Sequence, residues 1–332
     1  MNLDNEALII SQKMAKDNIT VKEILEIEEQ TYKWYSEGEI EMPAKITLNM
    51  DRLGLPNWIN SMPSYIKPLD MLGIKWAGGF ENNKGKGLPY IMAQILINNP
   101  DTGQLRALLD GNWITDIRTG AQSAVAAKFL AAKTDILTII GAGVQGISTA
   151  ICMLEQFDIK KINIIDLDED AINKFRRIIK DKYSIQIEIP GSKEKAIRES
   201  DVIVTVTTAD KPLVEEKWVK PGALISTAGS YQELSEDLIL KADKLFVDHM
   251  EQNIHRGEYS QYFEEGKLTV DDIAGEIGDV INNKVNGREN SEERIIISPI
   301  GMGCLDIAIA TSIYNKINKA KNINKQKFNI LN

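Results

Sequence analysis

The chain has 332 residues, 43% apolar and 26% charged, with 39 basic side chains against 48 acidic ones. That is room for two ordinary domains, and too much apolar material for a disordered chain. A net charge of −9 excludes a general binder of nucleic acid or anionic membrane, because no basic excess exists to neutralise phosphates.

No run approaches the roughly 18 apolar residues of a membrane span, and Met1 to Asn18 mixes apolar and charged residues without a secretory signal. Two cysteines, Cys152 and Cys304, and two histidines, His249 and His255, are too few and too scattered for structural zinc. Reduced thiols fit a cytoplasmic protein. No metal is expected, and the histidines read as surface or cofactor-side residues.

Thr20-Val21-Lys22-Glu23 predicts a capping box at a helix start, and Val21, Ile24, Leu25, Tyr32 and Tyr35 follow on one face until Gly38. From Glu41 to Asn98 short runs such as Lys45–Leu48, Leu72–Trp76 and Ile91–Ile97 lie between Pro- and Gly-containing turns and read as strands. Asp101-Thr102-Gly103 predicts a hairpin turn between 94–97 and 105–109. Thr115 or Asp116 is the expected cap of an Ala-rich helix through Ala121–Leu130.

Beyond it, 136–140, 162–165, 202–206 and 223–225 are apolar, β-branched runs with helical stretches between several of them. Strands that are apolar throughout imply a parallel sheet covered on both faces. Residues 316–332, rich in Lys, Asn and Ile, read as a fraying end.

The chemistry-bearing motif is Ile139-Ile140-Gly141-Ala142-Gly143-Val144-Gln145-Gly146, a GxGxxG directly after a strand and opening a helix over 144–156. Gly141 permits the tight turn, Gly143 lets backbone approach a pyrophosphate, and Gly146 allows close helix–strand packing. The helix N-terminus adds amides and positive dipole. Asp166 closes the next strand, 20 residues beyond Gly146, where an acid accepts from ribose hydroxyls. A carboxylate there repels a 2′-phosphate, and basic residues return only at Lys174, Arg176 and Arg177, so NAD is favoured over NADP.

A second set is cationic: Lys45, Lys75 and Arg118. A lone strand lysine is usually a solvated edge residue. Lys75 differs, because Ile74 and Trp76 flank it on a segment that looks buried. A buried lysine must find a carboxylate or lose its proton, and either suits catalysis.

Taken in order, Met62-Pro63-Ser64-Tyr65, Gly73-Ile74-Lys75, Leu109-Asp110-Gly111, Arg118-Thr119-Gly120-Ala121, the glycine motif, Gly229 with Glu233-Leu234, Asn286-Gly287-Arg288 and Gly301 with Asp306 resemble the ornithine cyclodeaminase/mu-crystallin family over roughly residues 20 to 315. Pro43, Ile74-Lys75-Trp76 and Gly301-Met302 are similar to its opine-type amino-acid dehydrogenase branch. The resemblance implies an α/β chain with a Rossmann dinucleotide-binding domain (114–304) inserted into an α+β substrate and dimerisation domain (1–113 with 305–332). It also implies a homodimer, and NAD-dependent hydride transfer at the α-carbon of an L-amino acid, opine or cyclic imine.

By the same resemblance Arg118 binds substrate carboxylate, assisted by Lys45 where many relatives carry Arg. Lys75 is catalytic and substrate-binding, and Ile300 and Asp306 also meet substrate. Cofactor contacts fall to Thr119, Gly141, Gly143, Val144, Gln145, Gly146, Asp166, Thr207, Ser226, Thr227, Ala228, Gly229 and Pro299.

One departure bears on the reaction. Cyclodeaminases and related alanine dehydrogenases carry an Asp two residues after the glycine matched by Gly229, in a longer loop; here Tyr231 stands in that place. This favours a dehydrogenase or imine reductase over ornithine cyclodeaminase, with a mu-crystallin-like NAD-dependent ligand-binding protein as the non-enzymatic alternative. Glu233 is a substitute acid, although the family pattern puts it at the next helix. Asp306 either points to a substrate amine or caps a helix over 307–317, the cap being the plainer reading.

Overall fold

The computed structural model describes residues 6–51, 54–83, 85–209, 211–228 and 232–329. It divides into two compact units, residues 1–118 with 302–332, and residues 119–301.

The first unit opens with β1 (Glu6–Ile10) and α1 (Gln12–Asn18). α2 (Val21–Ser36) starts on the expected capping box, with Glu23 N donating to Thr20 Oγ1 at 3.2 Å and Thr20 N donating to Glu23 Oε2 at 2.9 Å. An antiparallel run follows: β2 (Ile40–Glu41), β3 (Ile46–Asn49), β4 (Asn57–Ile66), β5 (Met71–Phe80), β6 (Ile91–Asn98) and β7 (Leu105–Asp110).

β4 is not legible in the sequence, because Pro63 argues against an inner strand. The register removes the objection. On one side β2 pairs with Tyr65 and Ile66 and β3 with Trp58 to Ser61, leaving Pro63 opposite no paired residue. α3 (Asn112–Leu130) also starts earlier than expected: Thr115 N already donates to Gly111 O at 2.9 Å, so Thr115 and Asp116 lie within the helix, past the N-cap position.

The second unit takes up the rest of α3 and then alternates strand and helix. It runs β8 (Ile136–Ile140), α4 (Val144–Gln156), β9 (Lys161–Ile165), α5 (Glu169–Lys182), β10 (Gln186–Glu188), α6 (Lys193–Glu199) and β11 (Val202–Thr205). It continues with β12 (Leu224–Thr227), α7 (Glu236–Leu240), β13 (Lys244–Val247), α8 (Met250–His255), α9 (Ser260–Glu264), β14 (Ile273–Glu276), α10 (Ile277–Ile281) and β15 (Ile295–Ser298).

Its sheet order is β10-β9-β8-β11-β12-β15-β13-β14, parallel at every pairing. The strand order reverses between β8 and β11, which is where doubly wound sheets bind their ligands.

The chain then completes the first unit with α11 (Gly303–Lys319) and β16 (Gln326–Asn329). The sheet of that unit runs β16-β1-β7-β6-β5-β4-β2, with β3 also on β4. α11 packs across β4, β5 and β6 and against α2. Its first residue approaches the sheet so closely that a Cβ on Gly303 would stand 2.8 Å from Met62 O. Ile307, Ile309, Ile313 and Ile317 are fully buried on α11, each contributing about 1.5–3 kcal/mol.

The C-terminal stretch does not fray as expected. Through β16 it pairs antiparallel with β1, from Glu6↔Asn329 to Ile9↔Gln326, giving the Lys- and Asn-rich segment a ladder partner. Among the described residues no helix is long and apolar enough to cross a membrane.

Candidate functional site

In the second unit the glycine motif closes β8 and opens α4. Gly141 takes a φ of 111°, which favours glycine. A Cβ on Gly146 would lie 1.9 Å from Gly141 O, so only glycine lets α4 start this close to its strand. Gly143 is the N-cap of α4 and supplies no side-chain cap; a Cβ there would meet nothing within 4 Å. Helix amides without a side-chain cap, facing open space at a switch point, fit a pyrophosphate.

Asp166 follows β9 and fixes this turn. Its Oδ2 accepts from Ala142 N at 2.6 Å and its Oδ1 from Asp168 N at 2.9 Å. Asp168 is itself the N-cap of α5.

Among the buried hydroxyls without hydrogen-bond partners in the same unit are Thr227 and Ser298. They are the last residues of β12 and β15, neighbours in the sheet. Orphaned polar atoms at the carboxyl ends of adjacent parallel strands are what a polar ligand in that crevice would satisfy.

The other expected cofactor residues divide. Val144 is half exposed on α4, and Pro299 and Ile300 follow β15. Ser226 Oγ is taken up by Ser123 Oγ of α3 at 2.9 Å, so its hydroxyl serves packing. Thr207 donates from N and Oγ1 to Glu233 Oε1, at 2.9 and 2.5 Å. Ala228 N donates to Thr205 O at 3.1 Å. Gly229 and Tyr231 lie outside the described residues. Glu233 is fully buried on Thr207, which argues against it as the substitute acid.

The first unit gathers the charged residues. Lys75 sits on the inward face of β5, between outward-facing Ile74 and Trp76, and is 1% exposed. Its Nζ donates to Asp306 Oδ2 at 2.6 Å, and Arg118 Nε donates to Asp306 Oδ1 at 3.3 Å. Asp306 is buried in the first turn of α11, whose N-cap is Met302. The expected capping role is therefore wrong: the helix starts earlier, and the carboxylate goes to two cations that sequence separation hid.

Lys45 precedes β3, half-buried. Carrying the β3–β4 register one residue past Ile46↔Ser61 sets Lys45 beside Met62, which pairs with Lys75.

Burial, reinforced by the Arg118 charge, pulls the Lys75 ammonium down to about 8, against the opposing pull of Asp306. Two acids join the cluster that the sequence did not single out as site residues. Burial pushes Asp116 up to about 7. Glu28, on α2, is wholly buried with neither carboxyl oxygen hydrogen-bonded, and burial holds its proton well above the usual carboxylate range. The charges of Arg118, Asp306 and Lys75 all act on it. Its signal was there: between Leu25 and Tyr32 an acid occupies a core-facing position of an otherwise apolar stripe.

His249, expected at a surface or cofactor-side position, is buried and caps α8, its Nδ1 accepting from Gln252 N at 3.3 Å. Both cysteine thiols are buried. Arg288 donates from Nε to Leu130 O at 2.7 Å, closing the C-terminal end of α3. Among the described residues no group of His, Cys, Asp and Glu could hold a metal ion.

The model of the ornithine cyclodeaminase/mu-crystallin family matches residues 5–321. The alanine dehydrogenase of Archaeoglobus fulgidus is 32% identical over 314 residues, covering 93% of this chain and 94% of that protein. A solved archaeal alanine dehydrogenase dimer with bound NAD superposes with a TM-score of 0.90 at 32% identity, over 98% of this chain and 99% of that one. The Δ1-pyrroline-2-carboxylate reductase of Thermococcus litoralis, solved with NADH and L-proline, gives 0.89 at 30% identity, over 94% and 98%.

Proposed function

The chain belongs to the ornithine cyclodeaminase/mu-crystallin family, and we propose from that premise that it is an NAD(H)-dependent oxidoreductase acting at the α-carbon of an L-amino acid, opine or cyclic imine. The observation that carries the reading is the buried Lys75–Asp306–Arg118 cluster. Two buried cations sharing one carboxylate are weak as a stability device. As a site they offer a guanidinium for a substrate carboxylate and a lysine that exchanges its proton near neutrality.

In this reading Arg118, with Lys45, binds the carboxylate, and Asp306 holds Lys75 in place. Lys75 takes the proton from the substrate amine during oxidation and returns it to the imine nitrogen during reduction. NAD, when bound, supplies the hydride acceptor. Gly141 to Gly146 and the start of α4 would hold its pyrophosphate, and Asp166 its adenosine ribose. The acid at the end of β9 supports NAD over NADP, and the relatives solved with NAD and NADH agree.

The test is NADH formation by purified protein with NAD and a panel of L-alanine, L-proline, L-lysine, L-arginine, L-ornithine and glutamate-derived opines. NADH is expected to accumulate with at least one, and less readily with NADP in place of NAD. A flat trace together with ammonia release from ornithine would transfer the chain to the cyclodeaminases.

We further propose a homodimer, as the family suggests, built on the outer face of the first unit's sheet. There Ile46, Leu48, Leu72 and Trp76 are exposed at 69, 57, 36 and 41%, an apolar face of the kind that marks an interface. Trp76→Glu is expected to convert a dimer into a monomer in sedimentation velocity. A wild type that sediments as a monomer would refute the assignment.

A further inference from the structure

Behind Thr207 lie two buried carboxyls that the proposed chemistry does not use. Glu258 is fully buried, and its two oxygens each accept one backbone N–H, Oε2 from Glu233 and Oε1 from Leu234, both at 2.9 Å. Glu233 is fully buried in turn, and its Oε1 takes both donors of Thr207 while its Oε2 accepts no backbone N–H. One chain of bonds thus runs from Glu258 through the backbone of 233–234 and the Glu233 carboxyl to Thr207.

Thr207 follows Val206, whose carbonyl a Cβ on Gly141 would approach to 2.8 Å, so the anchored segment abuts the glycine turn. The anchored residues 233 and 234 continue the chain that leaves β12 at Thr227, and Leu234 bridges to Val214. The two loops at the carboxyl ends of β11 and β12 are therefore joined by carboxyls, at the edge where a doubly wound sheet receives its ligand.

We propose that Glu233, held by Glu258, is a positioning residue that fixes Thr207 in the dinucleotide crevice, and that the two carboxyls do this as a pair retaining one proton. The inference rests on the reading of the second unit as a dinucleotide-binding domain. Glu258 needs both oxygens to accept, whereas Glu233 Oε2 accepts no backbone N–H and faces the Thr205 hydroxyl, which can itself accept, so the hydrogen-bond pattern puts the proton on Glu233 Oε2.

Like charges in one buried site do not both ionise readily. The groups facing the pair are the hydroxyls of Thr205 and Thr207 and the phenols of Tyr259 and Tyr262; Glu236, Glu265 and Lys267 act on Tyr262. Burial pushes Glu258 up to about 8 and raises Glu233 as well. Loss of the shared proton puts two negative charges behind Thr207, and their repulsion works against the Glu258 bonds that hold the 233–234 backbone.

The probe is NADH, its binding followed by fluorescence from pH 6 to 10 in wild type, Glu233→Ala and Glu233→Gln. Wild type is expected to lose affinity on the alkaline side of neutrality. Glu233→Ala is expected to bind about tenfold more weakly at pH 7, the cost of a lost hydrogen-bonded anchor. Glu233→Gln, whose amide oxygen still accepts from Thr207, is expected to restore binding at pH 7 and to stay level through the alkaline range.

Equal pH profiles for wild type and Glu233→Gln would overturn the proposal while leaving the dinucleotide reading intact. Wild-type protein that binds no NADH at any pH would remove that reading and this inference with it. Should Glu233→Ala fail to fold, the pH comparison between wild type and Glu233→Gln decides alone.

Discussion

Lys75→Ala is expected to lower turnover by about 10²–10⁴-fold, the usual contribution of a positioned acid–base group, while NADH affinity stays within about twofold of wild type. The separation of effects follows from placement. Lys75 belongs to the first compact unit, and the glycine turn and Asp166 belong to the second. A variant that turns over at the wild-type rate would remove Lys75 from the chemistry; one that loses NADH binding as well would show a general structural failure. Lys75→Met, which keeps most of the buried volume, guards against reading a cavity as a catalytic defect.

The pH dependence follows in sign. Burial and the Arg118 charge bring the Lys75 proton down to about 8 from its ordinary 10.5. In the proposed role of base in amine oxidation Lys75 acts unprotonated, so the oxidation rate should rise through about pH 8, and that limb should be missing from Lys75→Met. Imine reduction uses the protonated form and should fall through the same range.

The folding equilibrium also feels this proton. Between pH 8 and 10.5 the unfolded chain holds it and the folded chain does not, so the Lys75 contribution to stability rises with pH there. Glu28 acts in the opposite sense. Its folded form keeps a proton that the unfolded chain releases near its ordinary 4.5, so its contribution declines as pH climbs above that value.

The glycine turn and Asp166 were legible because their signals are local. A glycine turn, the helix after it and an acid at the next strand end lie within about thirty residues of one βαβ unit, and each needs only backbone geometry to be recognised. Lys75 was legible through strand alternation, since Ile74 and Trp76 fix which face it takes.

What remained hidden is non-local. Asp306 lies 231 residues from Lys75, and with Met302 and Gly303 giving no conventional helix-start signal it resembled a cap of its own helix. Glu28 is the exception, its signal being local, an acid on the core-facing stripe between Leu25 and Tyr32, set against the rule that acids on helices are mostly exposed. Glu258 gave no signal at all, because its partners are the backbone amides of residues 233 and 234, which any residue type supplies. β4 was concealed by Pro63, which is tolerated only because β2 and β3 leave a gap opposite it.

Asp306→Ala is expected to destabilise the chain by about 3–5 kcal/mol, the cost of removing one partner from a buried ion pair. Lys75 and Arg118 are both buried and share this carboxylate. The loss therefore withdraws one negative charge from two cations at once, where neither can turn to water. Lys75 should respond first, since burial already opposes its charge and Asp306 is what offsets that.

Its proton should be released at lower pH than in wild type, and the rising limb of the oxidation profile should move to more acidic pH with it. Asp306→Asn tests the charge apart from the shape. It fills the same volume, but its amide offers two donors where the cations need an acceptor, so it should show the same shift in pH profile with a smaller loss of stability. Chemical denaturation and pH–rate profiles on the two variants measure both quantities. An Asp306→Asn protein with wild-type stability and an unmoved profile would mean that Asp306 does not hold Lys75 in the state that reacts.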